Sequence, residues 1–425
     1  MEQIVKPALK LKGTVTVPGE LEPSVLSVVF AALAEGPSTI RNTPPTIEPL
    51  LQVLRQLGVA IEAEDGVLTV HGSGLRGLQP PDGILLLGGL GDEIMPLVAA
   101  LACQSFTTRF EFMNWNDRWQ TFRDTVARMG CSLARDEGDV YRIEGNQSLT
   151  SVAHDTPDMD ALVKLSIAVV ARSAVGTTTL VETTKGRDWA VRFLRLRFDV
   201  VRRKQGEGDD YVVLIEGEQP VGATDVEIPG DLRLAYPFIV AAIGLKGSNL
   251  TVRHVAIHAG RRTFLDTVRQ IGASIAIVDG EQGASDIEVR SGGIKSTRIA
   301  GKRTEALIDS VALVAVLATQ AQGQFVIRDV EELRKGPFDF VAHLVAVLRS
   351  MGAKIGEFDE GIVIDGGLPL RGGRIETHGN PNLALAAVVA GMLADDEVTV
   401  VDSECLDQLF PGFFAVVESC KENRK

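Results

Sequence analysis

The sequence TVTVPGE at Thr14–Glu20 has a close counterpart, DVEIPGD, at Asp225–Asp231. In both, a run typical of a β-strand leads through Pro-Gly, a pair that marks turns and crossings, into an apolar stretch typical of a buried helix. Ordinary surface turns would also contain Pro-Gly, but the matching context favours two places where the chain passes between two lobes. We predict one lobe at 18–228 and the other at 1–17 plus 229–425, with hinge crossings near 17–20 and 228–231.

Between and beyond these segments, one pattern recurs six times. Each copy has an apolar, Ala-rich helix, a turn, a β-branched strand, a second helix that usually ends at Leu-Gly, Met-Gly or Ile-Gly, and a hairpin, which only the sixth copy lacks. In the first copy these are Leu26–Ala34, Ser38–Arg41, Ile47–Leu57 and Ala60–His71. The first helix of each copy is apolar nearly all round, as buried helices are. The sequence therefore predicts an α/β protein with six βαβαββ-type repeats, three in each lobe.

Composition narrows the class of function. The chain has 425 residues, 45% of them hydrophobic and 23% charged, and a net charge of −13, which argues against a nucleic-acid partner. Its four cysteines lack CxxC or zinc spacing, so we predict reduced thiols, no metal site and a cytoplasmic location without a membrane partner. The GGLG sequence at Gly88–Gly91 lacks the spacing of a dinucleotide-binding loop, and we predict no cofactor. In the absence of any oligomerisation signal, we expect a monomer.

Several stretches resemble the EPSP synthase family of enolpyruvyl transferases. They are LKGTVTVPG from Leu11, ALAEGPSTIRN from Ala32, LRQLGV from Leu54, IDSVALVAVLATQAQG from Ile308 and FPGFF from Phe410. The resemblance covers essentially the whole chain and implies the family's two-lobed fold, an inside-out α/β barrel. It also implies transfer of an enolpyruvyl group from phosphoenolpyruvate to the hydroxyl of shikimate 3-phosphate, in a cleft that closes on both anions.

Measured against that resemblance, the first lobe has lost most of the residues that hold anions. The family's Lys, Arg, Thr and Ser-Ser-Gln residues are replaced by apolar, acidic or unrelated residues: Leu21, Leu26, Asp92, Met95, Asp117 and the segment Thr156–Met159. After a one-residue shift, Arg118 is a candidate to replace the Arg that aligns with Asp117. The loop containing Lys185 and Arg187 borders the family's cleft, so these two cations are candidates for binding a ligand carboxylate, although a solvated loop explains them equally well.

The second lobe departs from the family in the same way. Arg334 and Asp339 remain from a charged motif whose other members are now Gly336, Pro337 and Phe340, and the late Lys is Gln408. A second motif, Asp-His-Arg in the family, reads Asn380-Pro381-Asn382, which leaves Asn380 and Asn382 as candidate ligands. Asp309, at the position of the family's catalytic carboxylate, survives. We expect it to be a buried, unpaired proton-transfer group, although an Asp at a helix start also acts as a simple cap.

These losses predict that ordinary EPSP synthase activity is absent. Bidentate Arg residues bind phosphate strongly, and a dianion buried among unpaired carboxylates would be expelled. The main hypothesis is a diverged enzyme that binds a shikimate-like ring acid in the cleft and uses Asp309 in enolpyruvyl transfer or in elimination of water. The alternative is an inactive homologue that binds a small molecule or a protein. A UDP-N-acetylglucosamine enolpyruvyl transferase is disfavoured, because no Cys lies near Asn114–Trp119.

Three further groups of residues are candidates for an anion site, a metal site or a ligand pocket. Arg253, Arg261 and Arg262 form the best remaining local cluster of cations, and they are candidates for holding an anion. The acids that follow His154 resemble a loop with an N-cap more than a metal site. Trp115 and Trp119 fit either an altered pocket or the core.

Overall fold

A computed structural model describes residues 1–64, 66–87, 90–154, 159–183, 199–205, 208–280 and 284–423. The chain divides into two compact units, Met1–Pro18 with Gly230–Lys425, and Gly19–Pro229. It passes from one unit to the other at Pro18–Gly19 and again at Pro229–Gly230. We refer to Gly19–Pro229 as the inserted unit and to the other as the terminal unit.

The inserted unit contains thirteen described strands and five described helices. The helices are α1 (Leu21–Ala32), α2 (Glu48–Gln56), α3 (Met95–Ala102), α4 (Asp117–Ala127) and α5 (Ala161–Ser173). The strands are β3 (Ala34–Arg41), β4 (Ala60–Glu64), β5 (Val67–Ser73), β6 (Ile84–Leu86), β7 (Thr107–Glu111), β8 (Ser132–Arg135), β9 (Val140–Glu144), β10 (Ala153–His154), β11 (Thr177–Thr183), β12 (Asp199–Gln205), β13 (Gly208–Glu216), β14 (Val221–Gly222) and β15 (Asp225–Glu227). The predicted helix Asp188–Phe198 lies outside the described residues.

The terminal unit repeats the same plan. Its described helices are α6 (Leu232–Gly244), α7 (Ala259–Gln270), α8 (Lys302–Ala306), α9 (Val311–Thr319), α10 (Phe340–Ser350), α11 (Pro381–Leu393), α12 (Glu404–Leu409) and α13 (Phe413–Cys420). Its strands are β1 (Glu2–Val5), β2 (Ala8–Thr16), β16 (Asn249–Ala256), β17 (Ser274–Asp279), β18 (Ala284–Arg290), β19 (Arg298–Ile299), β20 (Gly323–Arg328), β21 (Lys354–Phe358), β22 (Gly361–Gly366), β23 (Gly373–Glu376), β24 (Val398–Val401) and β25 (Lys421–Asn423).

The six-fold repeat is visible in the sheets. The described strands form six sheets, three in each unit, and five of them combine at least one parallel pair with an antiparallel hairpin. In the order β6-β7-β9-β8, for example, β6 runs parallel to β7, while β9 is antiparallel to both of its neighbours. The sixth sheet, β1-β24-β23, lacks the hairpin, as the sequence predicted. The predicted α/β fold with three repeats in each half is therefore confirmed.

The predicted buried helices form the centre of each unit. In the terminal unit α6, α9 and α11 pack against one another, and every residue of α9 is buried. In the inserted unit α3 packs against both α1 and α5, and all of α3 is buried. Each unit has its own hydrophobic core. Helices without a polar face are stable only when they are surrounded in this way, because each buried apolar side chain contributes roughly 1.5–3 kcal/mol.

The outer helices end where glycine permits a left-handed backbone. Gly58, Gly130, Gly272 and Gly352 follow α2, α4, α7 and α10 with φ values of 85°, 99°, 110° and 87°. A residue with a Cβ is disfavoured at this position, so glycine there stops a helix at low cost. This physical requirement explains why the Leu-Gly, Met-Gly and Ile-Gly pairs marked helix ends correctly in the sequence.

The two Pro-Gly segments are each fixed by backbone hydrogen bonds. In the inserted unit the Gly19 N–H donates to the Asn42 carbonyl at 3.0 Å, and Glu20 N–H donates to Pro229 at 3.0 Å. A Cβ on Gly19 would lie 2.1 Å from the Asn42 carbonyl oxygen, so only glycine fits. In the terminal unit Asp231 N–H donates to the Pro18 carbonyl at 2.8 Å.

None of the described helices combines the length and the apolar character that crossing a bilayer requires.

Candidate functional site

Asp92 is the centre of a polar network at the start of α3. Its carboxylate accepts hydrogen bonds from Asn116 Nδ2 at 3.0 Å, Trp119 Nε1 at 2.9 Å and Arg118 at 3.3 Å. Asn116 in turn caps α4 through the Arg118 and Trp119 backbone N–H groups. Asp92 was expected to be an unpaired acid that repels an anion, and this expectation is wrong. The carboxylate is saturated by donors and fastens the loop before α4 to the start of α3.

Arg118 lies between two carboxylates. Its guanidinium pairs with Asp92 at 3.3 Å and with Asp160 at 3.1 Å, and its side chain is 53% exposed. Asp160 is also the N-cap of α5, where it accepts from the Leu162 N–H at 2.9 Å. Arg118 therefore joins the starts of α3, α4 and α5, and its charge is balanced within the protein.

Further acids surround this network. Glu22, in the first turn of α1, has a pKa raised to about 7, first because of burial and then because of the nearby carboxylates of Asp160, Glu20 and Glu93. Arg118 partly offsets this effect. Like-charged neighbours in a dehydrated place disfavour ionisation. Acidic residues therefore lie at the starts of α1, α3 and α5. The resemblance to the family alone would predict cations at these places.

In the terminal unit Asp309 lies in a single helical turn, Ile308–Ser310, directly before α9. The side chain is exposed, so the expected burial is wrong. Neither this turn nor α9 has a side-chain cap hydrogen bond, so capping does not explain Asp309 either. Its charge acts on Tyr236 of α6, whose pKa burial raises and the Asp309 carboxylate raises further. The carboxylate is therefore open to a ligand at the end of the unit where α6 also begins.

Asp231, which the sequence analysis did not select, is the best-held carboxylate of this unit. It caps α6 through the Arg233 N–H at 2.8 Å and forms ion pairs with the Arg233 and Arg261 guanidinium groups. Burial alone would raise its pKa, but Arg261 and Arg233 outweigh burial and lower it. The second Pro-Gly segment ends in this residue, and the helix-start pattern there was the signal that could have identified it.

The three arginines that look clustered in the sequence pair with different carboxylates. Arg261 contacts Asp231, Arg262 lies 3.8 Å from Asp266, and Arg253 lies 3.9 Å from Asp286. The charge of each arginine is therefore offset by a carboxylate of its own, which argues against a joint anion site.

Arg334 and Asp339 are brought together, as the retained motif suggested. Their charged atoms are 3.1 Å apart, and Arg334 also pairs with Glu357 at 2.9 Å. Asp339 is the N-cap of α10: against burial, which raises its pKa, the Ala342 N–H and Arg334 lower it. Both residues therefore stabilise the terminal unit itself, in addition to any role in binding a ligand.

The two asparagines that replace part of the second motif differ from each other. Asn380 caps α11 by accepting from the Leu383 N–H at 3.1 Å, whereas Asn382 is exposed in the first turn of that helix. Lys185 and Arg187 lie outside the described residues. Of the described candidates, Arg118 belongs to the inserted unit, and Asp309, Arg334, Asp339, Asn380 and Asn382 belong to the terminal unit.

A cluster of three rings, one in α10 and two in the loops before α10 and α11, was not predicted from the sequence. Phe338 stacks on His343 with ring centres 4.1 Å apart, and the His378 ring meets His343 edge-on at 5.0 Å. No spacing rule connects residues 338, 343 and 378, so only the fold reveals this cluster.

Six repeats in two units, with polar residues gathered at the starts of apolar central helices, define the class of two-lobed enolpyruvyl transferases. A sequence model of the EPSP synthase family, 3-phosphoshikimate 1-carboxyvinyltransferase, matches residues 5–417. The chain belongs to this family of transferase enzymes.

Individual relatives agree with that assignment. The 3-phosphoshikimate 1-carboxyvinyltransferase of Brevibacillus brevis is 32% identical, over 96% of this chain and 97% of that protein. The protein of the same name from Salinibacter ruber is also 32% identical, over 97% of this chain and 98% of that protein. The structure of EPSP synthase from Acinetobacter baumannii superimposes with a TM-score of 0.80 at 25% identity, covering 99% of this chain and 98% of the other.

Proposed function

We propose that this chain is an EPSP-synthase-like transferase whose acceptor is a shikimate-like ring acid without the phosphate, and that the ordinary reaction on shikimate 3-phosphate is absent. The proposal is best supported by the ion pairs of two candidate arginines. Arg118 and Arg334 are each held by two carboxylates, at 2.9–3.3 Å. A phosphate dianion would have to displace those carboxylates, and their burial near an anion is unfavourable.

The acidity of the inserted unit supports the same conclusion. Glu22 at the start of α1 holds a proton more tightly than a free glutamate, first because of burial and then because of the nearby carboxylates of Asp160, Glu20 and Glu93. Bringing a doubly charged phosphate near these groups would raise the cost further, since like charges repel strongly where water is scarce. A ring with hydroxyl groups and one carboxylate carries less negative charge, so these carboxylates would repel it less.

Asp309 is the proposed proton-transfer group. Its exposed carboxylate is unobstructed by a capping bond, and in the family's reaction such a group removes the proton from the attacking ring hydroxyl. As C3 of phosphoenolpyruvate takes up a proton, the hydroxyl oxygen forms a bond to C2. A proton is then lost from C3 as the bond between C2 and the phosphate oxygen breaks, which restores the double bond and releases phosphate. In the competing elimination, Asp309 would take a proton from a ring carbon and pass it to the departing ring hydroxyl, which leaves as water.

Purified protein incubated with phosphoenolpyruvate and either shikimate or shikimate 3-phosphate tests the proposal, with released phosphate and ring products measured. We expect phosphate release with shikimate and none above background with its phosphate ester. Asp309→Asn should lower turnover by about 100-fold or more, while Asp359→Asn, at an exposed acid in the β21–β22 turn, should not. A dehydrated ring without phosphate release would identify elimination instead.

Two outcomes contradict the proposal. Rapid phosphate release from shikimate 3-phosphate would restore the ordinary reaction. Failure of shikimate, phosphoenolpyruvate and their mixtures to raise the unfolding temperature would favour the inactive binding homologue, because a ligand stabilises the folded state that it binds by RT ln(1 + [L]/Kd).

A further inference from the structure

Phe338 in the loop before α10, His343 in α10 and His378 in the loop before α11 form one cluster of rings. Phe338 is parallel to His343 within 17° and lies 6.0 Å from His378, while the two imidazoles are almost perpendicular at 82°. Phe338 and His343 are partly buried and His378 is exposed. The three rings therefore form one wall that continues from the core to the surface.

One nitrogen of His343 is already used. Its Nδ1 lies 2.7 Å from the Asp339 carbonyl oxygen, which can only accept, so Nδ1 carries a proton. Because Nδ1 is protonated and bonded in this way, Nε2 is the ring nitrogen that remains for a ligand. That atom accepts a hydrogen bond from a hydroxyl, or donates to a carboxylate when the ring is protonated.

His378 is held in an unfavourable backbone conformation. It and Gly379 have φ values of 53° and 68°, and the Asn380 N–H donates to the Thr377 carbonyl at 2.9 Å, which closes a tight turn. Thr377 is completely buried and anchors the turn by donating from Oγ1 to the Val401 carbonyl at 2.7 Å. A non-glycine residue in the left-handed region costs on the order of 1 kcal/mol, and such strain is concentrated at binding sites.

Neighbouring polar side chains in these loops already have partners within the protein. Arg334 pairs with Asp339 and Glu357, and the Asp339 and Asn380 side chains cap α10 and α11. Within the described part of the chain, His378 has ring neighbours and no recorded hydrogen-bond partner. The imidazoles are thus the polar groups left for a ligand at this wall.

We propose that His343 and His378 bind the polar edge of the ring acid, its carboxylate and a neighbouring hydroxyl, with Phe338 as the apolar surface beside the ring. This inference rests on the proposed function and names the residues that determine specificity in the terminal unit. Two imidazoles carry less charge than a Lys and an Arg would, which fits an acceptor without phosphate.

The test is calorimetric titration of the full chain with shikimate. We expect His343→Leu and His378→Leu each to weaken binding by about 10-fold, the usual effect of losing one hydrogen bond to a charged group. His343→Gln and His378→Gln should recover most of that loss, because an amide also donates and accepts. His71→Leu, at an exposed histidine of the inserted unit, is the matched control and should bind as the unaltered chain does. Unfolding without ligand shows that each variant is folded.

The outcomes separate this inference from the proposed function. Unchanged shikimate affinity in both leucine variants overturns the role of the imidazoles and leaves the proposed function intact. If the unaltered chain does not bind shikimate, the proposed function and this inference both fail. Zn²⁺ binding that needs both histidines and is indifferent to shikimate would reassign the pair to a metal and also overturn the inference.

Discussion

Single carboxylates determine much of the character of the inserted unit, and Glu22 is the one with the clearest consequence. Its pKa of about 7 in the folded protein lies above the value near 4.3 expected in the unfolded chain. The folded state therefore holds a proton that the unfolded state has lost between those values. The stabilising contribution is complete below about pH 4.5 and disappears as the pH rises through 7.

We expect Glu22→Gln to be more stable than the unaltered chain at pH 8 by about 1–3 kcal/mol, and this advantage to disappear near pH 4.5. Urea unfolding at both pH values measures it. Glu35→Gln, at an exposed position of β3, is the control and should show no such pH dependence. An equal effect of Glu22→Gln at both pH values would mean that its carboxyl group ionises normally.

Asp92 and Trp119 offer a second test, since the indole is completely buried and its Nε1 donates to Asp92 at 2.9 Å. We expect Asp92→Ala to cost about 2–4 kcal/mol, because it leaves the indole N–H and Asn116 without their acceptor. Trp119→Phe should cost less in the Asp92→Ala background than in the unaltered chain, with a coupling of about 1 kcal/mol or more in a double-mutant cycle. Additive costs would show that the hydrogen bond contributes little.

Helix starts are the elements at which structural and binding roles overlap. Asn380 caps α11 and Asn382 does not, although both were candidates for substrate binding. Asn380→Ala should lower the free energy of unfolding by about 1 kcal/mol, while Asn382→Ala should change it by less than about 0.5 kcal/mol. Denaturant unfolding without ligand measures both. A larger loss in Asn382→Ala would contradict the assignment of the cap.

The order and the approximate ends of most elements could be predicted from the sequence, whereas the site could not. Runs such as Val311–Thr319 have no polar face, and Gly58 or Gly352 must take a left-handed conformation, so composition and local geometry suffice. The Arg118–Asp160 pair and the His343–His378 contact join residues far apart in sequence. Their partners depend on packing, so Asp92 appeared unpaired and Asp309 appeared buried when judged by sequence context alone.

Across the molecule, the ends of the inserted unit lie side by side, since the Glu20 N–H donates to the Pro229 carbonyl. This unit also has its own core. We therefore expect the segment 19–229, expressed alone, to unfold cooperatively in urea with native-like circular dichroism. The longer segment 1–217 should not, because it lacks β14 and β15, which flank β3, and carries β2 without β16. Cooperative unfolding of 1–217 but not of 19–229 would contradict these boundaries.

The strands beside the Pro-Gly segments have a historical implication. β2, from the first half of the sequence, pairs with β16 of the second half, and β15, from the start of the second half, pairs with β3 of the first. Each half therefore contributes a leading strand to the first sheet of the other half. A gene duplication followed by reciprocal strand exchange, as in a swapped dimer fused into one polypeptide, leaves this arrangement. Neither ancestral half then remains self-sufficient, and loss of either one during evolution would remove an edge from the survivor.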